Sequence, residues 1–484
     1  MFFAKLKNGG GLFSVIATKK KSDFTEGNLF LPIFLFVIPI ILTGMLQILY
    51  NMADNIVVGR WSGDELALAA VGSTTSLANL MVNLLMGIAG GAGVVVAQSL
   101  GARKYSDLSR AVHTALTFSL IAGVVFSVFG LIISEPALEL MGTKSELMSR
   151  ALLYLRIICL GIPASSVYNF GAAVLRSVGD ARTPLVILAS TGITNVLLNL
   201  LFVIAFHMSV DGVATATIIA QYISAVAVVL VLIYRKKEKY ALDPRQLGID
   251  KNTLLRILRL GLPAGIQGSL FGISNVIITG AINSLATTDI AAKTIAINIE
   301  GLVYTAMNSY LHAAMTFTGQ NYGAKKLDRI KKVMLYTLIQ VAVIGIIGGQ
   351  LINLFGKELA ALYVEPGDPN KEIILETAAT LMTFMLSTYF LCGLMDTLSG
   401  ILRGLGYSLA PMIISIGAIC GLRILWILFV FPTESFNSLL GLYTVYPISW
   451  LSGLLLLVGV LIFAFRRIRE RFSMEDTSKS AENT

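Results

Sequence analysis

The chain has 484 residues, of which 55% are hydrophobic and only 13% carry a charge, and its formal net charge is +9. A soluble domain has about 25% charged residues, so this composition excludes a protein whose whole surface faces water. We therefore predict an all-α polytopic membrane protein in a lipid bilayer. Its basic runs have no interleaved aromatic residues, which argues against nucleic acid as a partner.

Twelve apolar segments follow one another along the chain, each long enough for a spanning helix of about 20 residues. They cover residues 30–58, 66–97, 111–133, 150–175, 184–206, 212–234, 256–282, 290–318, 333–355, 373–399, 410–431 and 441–465. The longest polar connection falls near the middle of the chain. The predicted division is a cytoplasmic N-terminal segment (1–28), an N-terminal six-helix lobe (29–234), a cytoplasmic linker (235–255), a C-terminal six-helix lobe (256–465) and a cytoplasmic tail (466–484).

Basic residues cluster in alternate connections, at 103–104, 235–237, 325–326 and 466–467, and the connections between them are acidic or nearly neutral. This is the positive-inside pattern. It predicts that the basic loops and both termini are cytoplasmic in a multi-pass protein of the plasma (inner) membrane. We expect a monomer.

The two halves of the chain repeat each other. Residues 98–104 match 320–326, and Leu-Arg-x-x-Gly with a following proline occurs at 175–184 and again at 402–411. Because each half contains an even number of spans, the halves have the same orientation. The arrangement is a parallel repeat about an axis along the membrane normal.

These features, together with Asn51-Met-Ala-Asp54, resemble the multidrug and toxic compound extrusion (MATE) family from about residue 27 to 465. The resemblance implies two six-helix lobes around a central cleft. It also implies export of small organic, amphipathic and often cationic compounds, driven by inward H⁺ or Na⁺. The aspartate of the first helix, here Asp54, is implied to be the coupling residue of the N-terminal lobe.

The first predicted helix carries a polar stripe of Thr43, Gln47, Tyr50 and Asp54, with Asn51 beside it. The spacing i, i+4, i+7, i+11 places the four stripe residues on one face. A carboxylate in a spanning helix is costly unless it is paired or hydrated, so we expect Asp54 to face a cavity. The alternative is a solvated helix end in the outer headgroup zone.

The second half lacks a carboxylate at the position of Asp54 but keeps Asn275. Its intramembrane acids are Glu300, on one face with Tyr304, and Asp396. Glu300 and Arg423 have similar predicted depths, so we expect an ion pair that is either structural or part of ion coupling. Asp396 lies seven residues before Arg403, which predicts a local structural pair.

Four more polar residues are candidates for the cleft or its inner end. Asn195 and Asn199 lie one turn apart in the fifth span. Proton-coupled relatives have an asparagine and an acid at this spacing, whereas this chain has two asparagines. Arg176 and Arg403 are the arginines of the repeated motifs, and we expect them to anchor the cytoplasmic helix ends and form a cytoplasmic gate.

The chain has no phosphate-binding loop and no protease motif, so we do not expect an enzyme. We expect no cofactor and no metal site apart from H⁺ or Na⁺ as the coupling ion. The preferred function is an ion-coupled antiporter that works by alternating access. The alternative is a lipid-linked saccharide flippase of the same superfamily, which would have more basic residues in its cleft than the mainly acidic and polar set predicted here.

Overall fold

The structure, a computed structural model, describes residues 24–64, 66–282, 284–365 and 367–482. Within these ranges the regular structure is helical and contains no strand. The predicted N-terminal segment, 1–28, therefore lies mostly outside the described residues.

Six helices form the N-terminal lobe. They are α1 (Phe30–Trp61), α2 (Ala67–Gly101), α3 (Tyr105–Leu140), α4 (Ser145–Ser177), α5 (Arg182–Leu200) and α6 (Val210–Tyr234). The end of α5 widens into a π-helical turn, Leu201–Ala205. Such turns are rare, and they are frequent at functional sites.

Six further helices form the C-terminal lobe. They are α7 (Lys251–Ile282), α8 (Thr287–Gly323), α9 (Leu327–Leu354), α10 (Lys371–Thr388 and Phe390–Gly404), α11 (Leu409–Val430) and α12 (Val445–Glu482). The two parts of α10 meet at an angle of 42°. One short helix, Gly356–Ala361, follows α9, and another, Leu439–Tyr443, precedes α12.

Ten helices among the described residues are long and apolar enough to cross a membrane, and the bent α10 makes an eleventh. The twelfth, α8, has 37 residues, which is ample length at about 1.5 Å per residue, but it is more polar. It buries Glu300, Gln320 and Asn321 inside the bundle. The predicted twelve-helix architecture in two lobes is confirmed.

Two predicted boundaries differ from the structure. The linker predicted at 235–255 ends earlier, because α7 already begins at Lys251. The Asp250 carboxylate accepts a hydrogen bond from the Thr253 backbone N–H at 2.8 Å, which is an N-cap that starts the helix in water. The segment predicted as a tail, 466–484, is helical up to Glu482, since α12 continues past the apolar stretch.

The lobes exchange helix halves at one end of the bundle. The first half of α1 packs into the C-terminal core, where Phe36 meets Phe317 with ring centroids 5.5 Å apart. The first half of α7 packs into the N-terminal core through Ile257 and Leu260. The end concerned carries the connections 102–104, 235–250 and 324–326, and we call it the basic-loop end.

The lobes converge toward this end and separate toward the other. A Cβ added to Gly87 would lie 2.1 Å from the backbone nitrogen of Gly265, and one added to Gly91 would lie 2.4 Å from that of Gly261. α2 and α7 therefore touch backbone to backbone. Further from the basic-loop end, an added Cβ at Gly72 or Gly272 has no atom within 4 Å.

Candidate functional site

Polar side chains are exposed far from the helix ends on four helices, two from each lobe. They are Gln47 and Asn51 on α1, Asn79 and Asn83 on α2, Asn275 on α7 and Tyr304 on α8. Amide groups facing lipid would be costly. These faces therefore line the opening between the lobes, which is the central cleft.

The Asp54 carboxylate lies inside the N-terminal lobe at the junction of α1, α5 and α6. It accepts a hydrogen bond from Asn199 Nδ2 at 2.5 Å. Asn199 Nδ2 also lies 3.4 Å from Asn195 Oδ1, and Asn195 donates to Thr217 Oγ1 over 3.4 Å. The buried Asn199 Oδ1 has no hydrogen-bond partner in the described part of the chain. The cluster thus presents carboxylate, amide and hydroxyl oxygens, the ligand types that suit a proton or a hard cation.

The predicted stripe on α1 divides between the lobe interior and the cleft. The Tyr50 hydroxyl donates to the Ala189 carbonyl at 3.2 Å, and its ring lies so close to Gly192 that an added Cβ there would be 1.9 Å away. The Thr43 hydroxyl donates to the Pro39 carbonyl of its own helix at 2.7 Å. Gln47 and Asn51 remain exposed toward the cleft.

The predicted ion pair between Glu300 and Arg423 is wrong. Glu300 is 7% exposed, and its Oε2 has no hydrogen-bond partner among the described residues. The guanidinium of Arg423 instead lies over the Tyr446 ring, 4.1 Å from its centroid. Equal depth in the membrane does not decide which helix faces meet, and a tyrosine ring can attract a cation through its quadrupole.

The predicted pair between Asp396 and Arg403 is not a direct contact either. Asp396 accepts a hydrogen bond from Asn308 at 3.3 Å, and Arg403 donates to Gln267 Oε1 at 2.7 Å. Tyr304, predicted to line the cleft, accepts a hydrogen bond from Asn308 and packs beside Tyr389. Asp396 and Tyr304 are thus joined through one asparagine.

A small cavity of about 30 Å³ lies at the bottom of the cleft between α2, α4 and α8. Its polar lining includes Asn169, Arg176, His312 and Thr316. None of its lining residues is acidic, whereas the sequence predicted a mainly acidic and polar cleft. Asn169 and His312 were missed. Asn169 could have been found from the repeat, because it precedes Arg176 by the same seven residues that separate Asp396 from Arg403.

Below this cavity, two glutamines close the basic-loop end in a reciprocal way. Gln98 of α2 donates to the Gly404 carbonyl at 2.9 Å, and Gln320 of α8 donates to the Ser177 carbonyl at 2.8 Å. Each bond therefore joins one lobe to the other. The accepting carbonyls directly follow Arg403 and Arg176, the residues predicted as the cytoplasmic gate.

Known proteins share the repeat and the fold. The family model described as MatE matches residues 39–201 and, a second time, residues 263–428. The chain belongs to the MATE family. Both matched blocks begin at a proline, Pro39 in α1 and Pro263 in α7, so the family model and the internal repeat have the same register.

Relatives of this MATE chain are named as multidrug resistance and multidrug export proteins. The "Probable multidrug resistance protein YoeA" of Bacillus subtilis (strain 168) is 30% identical over 93% of this chain and 97% of that protein. The "Multidrug export protein MepA" of Staphylococcus aureus (strain NCTC 8325 / PS 47) is 20% identical over 95% of this chain and 98% of that protein. Among solved structures, the outward-facing conformation of a multidrug resistance MATE family transporter superposes with a TM-score of 0.83. It is 22% identical and covers 94% of this chain and 99% of that one.

Membership of the MATE family makes this chain a multi-pass membrane transporter and not an enzyme. The prediction of the family from sequence is confirmed. The roles of individual residues in transport remain predictions.

Proposed function

We propose that this MATE chain is an antiporter of the plasma membrane that exports amphipathic, mainly cationic organic compounds by alternating access. H⁺ or Na⁺ entering the cell binds at Asp54 and drives the export. The observation that carries the proposal is the Asp54 carboxylate, held by Asn199 across the junction of α1 and α5. The names of the relatives, multidrug resistance and multidrug export, support the substrate class.

The position of Asp54 supports a route by which ion binding would change the contact between helices. A proton or Na⁺ on the carboxylate removes its negative charge and weakens the hydrogen bond that Asn199 donates. α1 then changes its contact with α5, while its first half is packed in the other lobe. The same loss of charge weakens the long-range electrostatic attraction of the N-terminal lobe for a cationic substrate in the cleft. Glu300 is proposed as a second coupling site, because it is buried and its Oε2 has no hydrogen-bond partner among the described residues.

The lobes proposed to rock against each other are residues 29–234 and residues 251–465, joined by the linker. Both termini and the basic loops are proposed to be cytoplasmic, and the transporter is proposed to work as a monomer. Under this orientation the two glutamine bonds close the cytoplasmic side. The cleft is then open toward the outside.

Transport in proteoliposomes tests the proposal. Ethidium efflux is measured with H⁺ and Na⁺ gradients imposed separately, for the wild type, Asp54→Asn and Glu300→Gln. We expect one gradient to drive efflux, and Asp54→Asn to reduce that efflux at least tenfold while membrane expression stays near wild type. Transport by Asp54→Asn at the wild-type rate would remove Asp54 as the coupling residue and leave Glu300.

The basic cavity favours one second candidate, the lipid-linked saccharide flippase. Arg176 provides the kind of cleft charge that a pyrophosphate would need, and His312 lies beside it in the lining of the cavity. A fluorescent prenyl pyrophosphate lipid in the same vesicles distinguishes the two functions. Gradient-dependent movement of this lipid without ethidium efflux would support the flippase.

A further inference from the structure

The cavity at the bottom of the cleft is lined by the positively charged side chain of Arg176. The Arg176 guanidinium has no carboxylate within ion-pair distance in the described part of the chain, although the side chain is only partly exposed. His312 lies in the same cavity and within electrostatic range of both Arg176 and Arg403. A charge removed from bulk water is costly unless something compensates it.

The second lobe shows how the same position is compensated. Arg403 is the repeat counterpart of Arg176, and it has Asp396 seven residues earlier and Gln267 as a hydrogen-bond acceptor. In the first lobe, the residue seven before Arg176 is Asn169, which is neutral. Arg176 and Arg403 both lie in the last turn of a helix, each seven residues after the residue compared, but the first lobe has no acid at that position.

The residue at the position of Gln267 also differs in the first lobe. Gln267 follows Pro263 by four residues, as Thr43 follows Pro39. The Thr43 hydroxyl is engaged with the Pro39 carbonyl at 2.7 Å. The acid near Arg403 and its amide acceptor are therefore replaced in the first lobe by Asn169 and by Thr43, and neither forms a hydrogen bond to Arg176 among the described residues.

The remaining lining of the cavity suits an anion at the end of an apolar molecule. An arginine guanidinium can bind a carboxylate or a phosphate through two parallel hydrogen bonds. The hydroxyl of Thr316 is a further donor in the lining, while Met86 and Met315 provide adaptable apolar walls.

We propose that this cavity is an oxyanion subsite, in which Arg176 binds the carboxylate or phosphate group of an amphipathic substrate. The inference deepens the proposed function and rests on it in calling the bound molecule a substrate. The subsite adds amphiphiles with an anionic group, zwitterionic ones included, to the compounds that the cleft recognises. Purely cationic compounds do not use it.

Binding to the purified full chain in dodecyl maltoside tests the subsite without any ion gradient. The probe is dodecyl phosphate, and dodecyltrimethylammonium is the matched cation. The decisive variant is Asn169→Asp, which supplies the acid that the second lobe has at Asp396. We expect Asn169→Asp and Arg176→Gln each to weaken dodecyl phosphate binding at least tenfold and to leave the cation unaffected. Arg182→Gln, which removes an exposed cation near the same end of the bundle, should leave both affinities unchanged.

Unchanged dodecyl phosphate affinity in Asn169→Asp would overturn the proposal, and this variant decides even if Arg176→Gln fails to fold.

Nanodiscs with and without phosphatidylglycerol identify the source of the anion. Competition by phosphatidylglycerol that depends on Arg176 supports a lipid headgroup, and its absence supports a soluble amphiphile. Because no gradient is involved, loss of coupling in Asp54→Asn is distinguishable from loss of the subsite.

Discussion

Asp64 joins three helices outside the membrane. Its carboxylate accepts hydrogen bonds from Arg150 Nε of α4 at 2.5 Å and from the Ser209 hydroxyl, just before α6, at 3.2 Å. It also accepts from the Leu66 backbone N–H before α2, at 3.1 Å. The Arg150 guanidinium holds the pKa of Asp64 below its usual value.

A depressed pKa in the folded state makes this stabilisation dependent on pH. It is present above the unfolded pKa of about 3.9 and is lost as the pH falls through the lower folded value. We expect Asp64→Asn to lower the free energy of unfolding by up to about 1 kcal/mol at neutral pH, because the ion pair with Arg150 is partly exposed. The difference from wild type should shrink at acid pH. Thermal unfolding in detergent at the two pH values measures this.

The control is Asp328→Asn, since Asp328 is exposed and its ion pair is with Lys331. Exposed pairs contribute little, so this variant should unfold like the wild type at both pH values. A loss for Asp64→Asn that is equal at both pH values would contradict the electrostatic explanation.

For single residues, the sequence predicted how deeply a side chain lies in the bundle better than it predicted which side chains it contacts. Glu300 is buried in α8 as expected, and Asp54 is held inside the bundle. Arg423, however, turns to Tyr446, because rotation about the helix axis depends on packing that no single-helix pattern contains. For the buried acids of the second half, the sequence predicts partners of opposite charge. In the structure, Arg423 lies over an aromatic ring, and Arg403 and Asp396 form hydrogen bonds with side-chain amides.

At the scale of helices, α2 and α8 cross at the basic-loop end so closely that only glycine fits. A Cβ added to Gly101 would lie 1.8 Å from the Gln320 carbonyl oxygen, and one added to Gly323 would lie 2.0 Å from that of Gln98. The contacting atoms are backbone, so they cannot rotate away. The two glutamine bonds between the lobes depend on this crossing.

We therefore expect Gly101→Ala and Gly323→Ala each to separate the helices and weaken the closed end. A cysteine at Ser177, buried in this closed end, should then react with a soluble thiol reagent in detergent several times faster than in the parent. Gly72→Ala, on the same helix as Gly101 but in open space, is the matched control. Equal reaction rates in all three would show that the crossing does not hold this end closed.

Helix positions followed from the sequence because lipid requires long apolar runs. The bend in α10 did not, since no proline or glycine lies at the break around Tyr389. The hydroxyls of Ser387 and Thr388 bond to carbonyls of their own helix, to Thr383 at 2.6 Å and Met385 at 3.1 Å. Such bonds often bend helices, but serine and threonine are too common in helices for their presence to predict a bend.

For the whole molecule, the alternation of basic connections predicts which loops face outward. Cysteines placed at Gly63 and Glu434 should react with an impermeant thiol reagent in intact cells, and cysteines at Lys104 and Lys237 should not. All four positions are exposed in the structure, so accessibility alone cannot explain a difference. The three native cysteines are buried and give little background. Labelling at Lys104 in sealed cells would reverse the proposed orientation.

The polarity of α8 has a consequence for how the chain is made. A charged residue at the centre of a helix opposes insertion by about 2.5 to 3.5 kcal/mol, and α8 carries Glu300 with buried amides at its end. α8 packs mainly against α9 and α10, which leave the ribosome later. It should therefore wait beside the insertion machinery until they arrive. A nascent chain that ends after Leu354 should leave α8 accessible to protease, whereas one that ends after Gly404 should protect it, so the C-terminal lobe enters the bilayer as a group of helices.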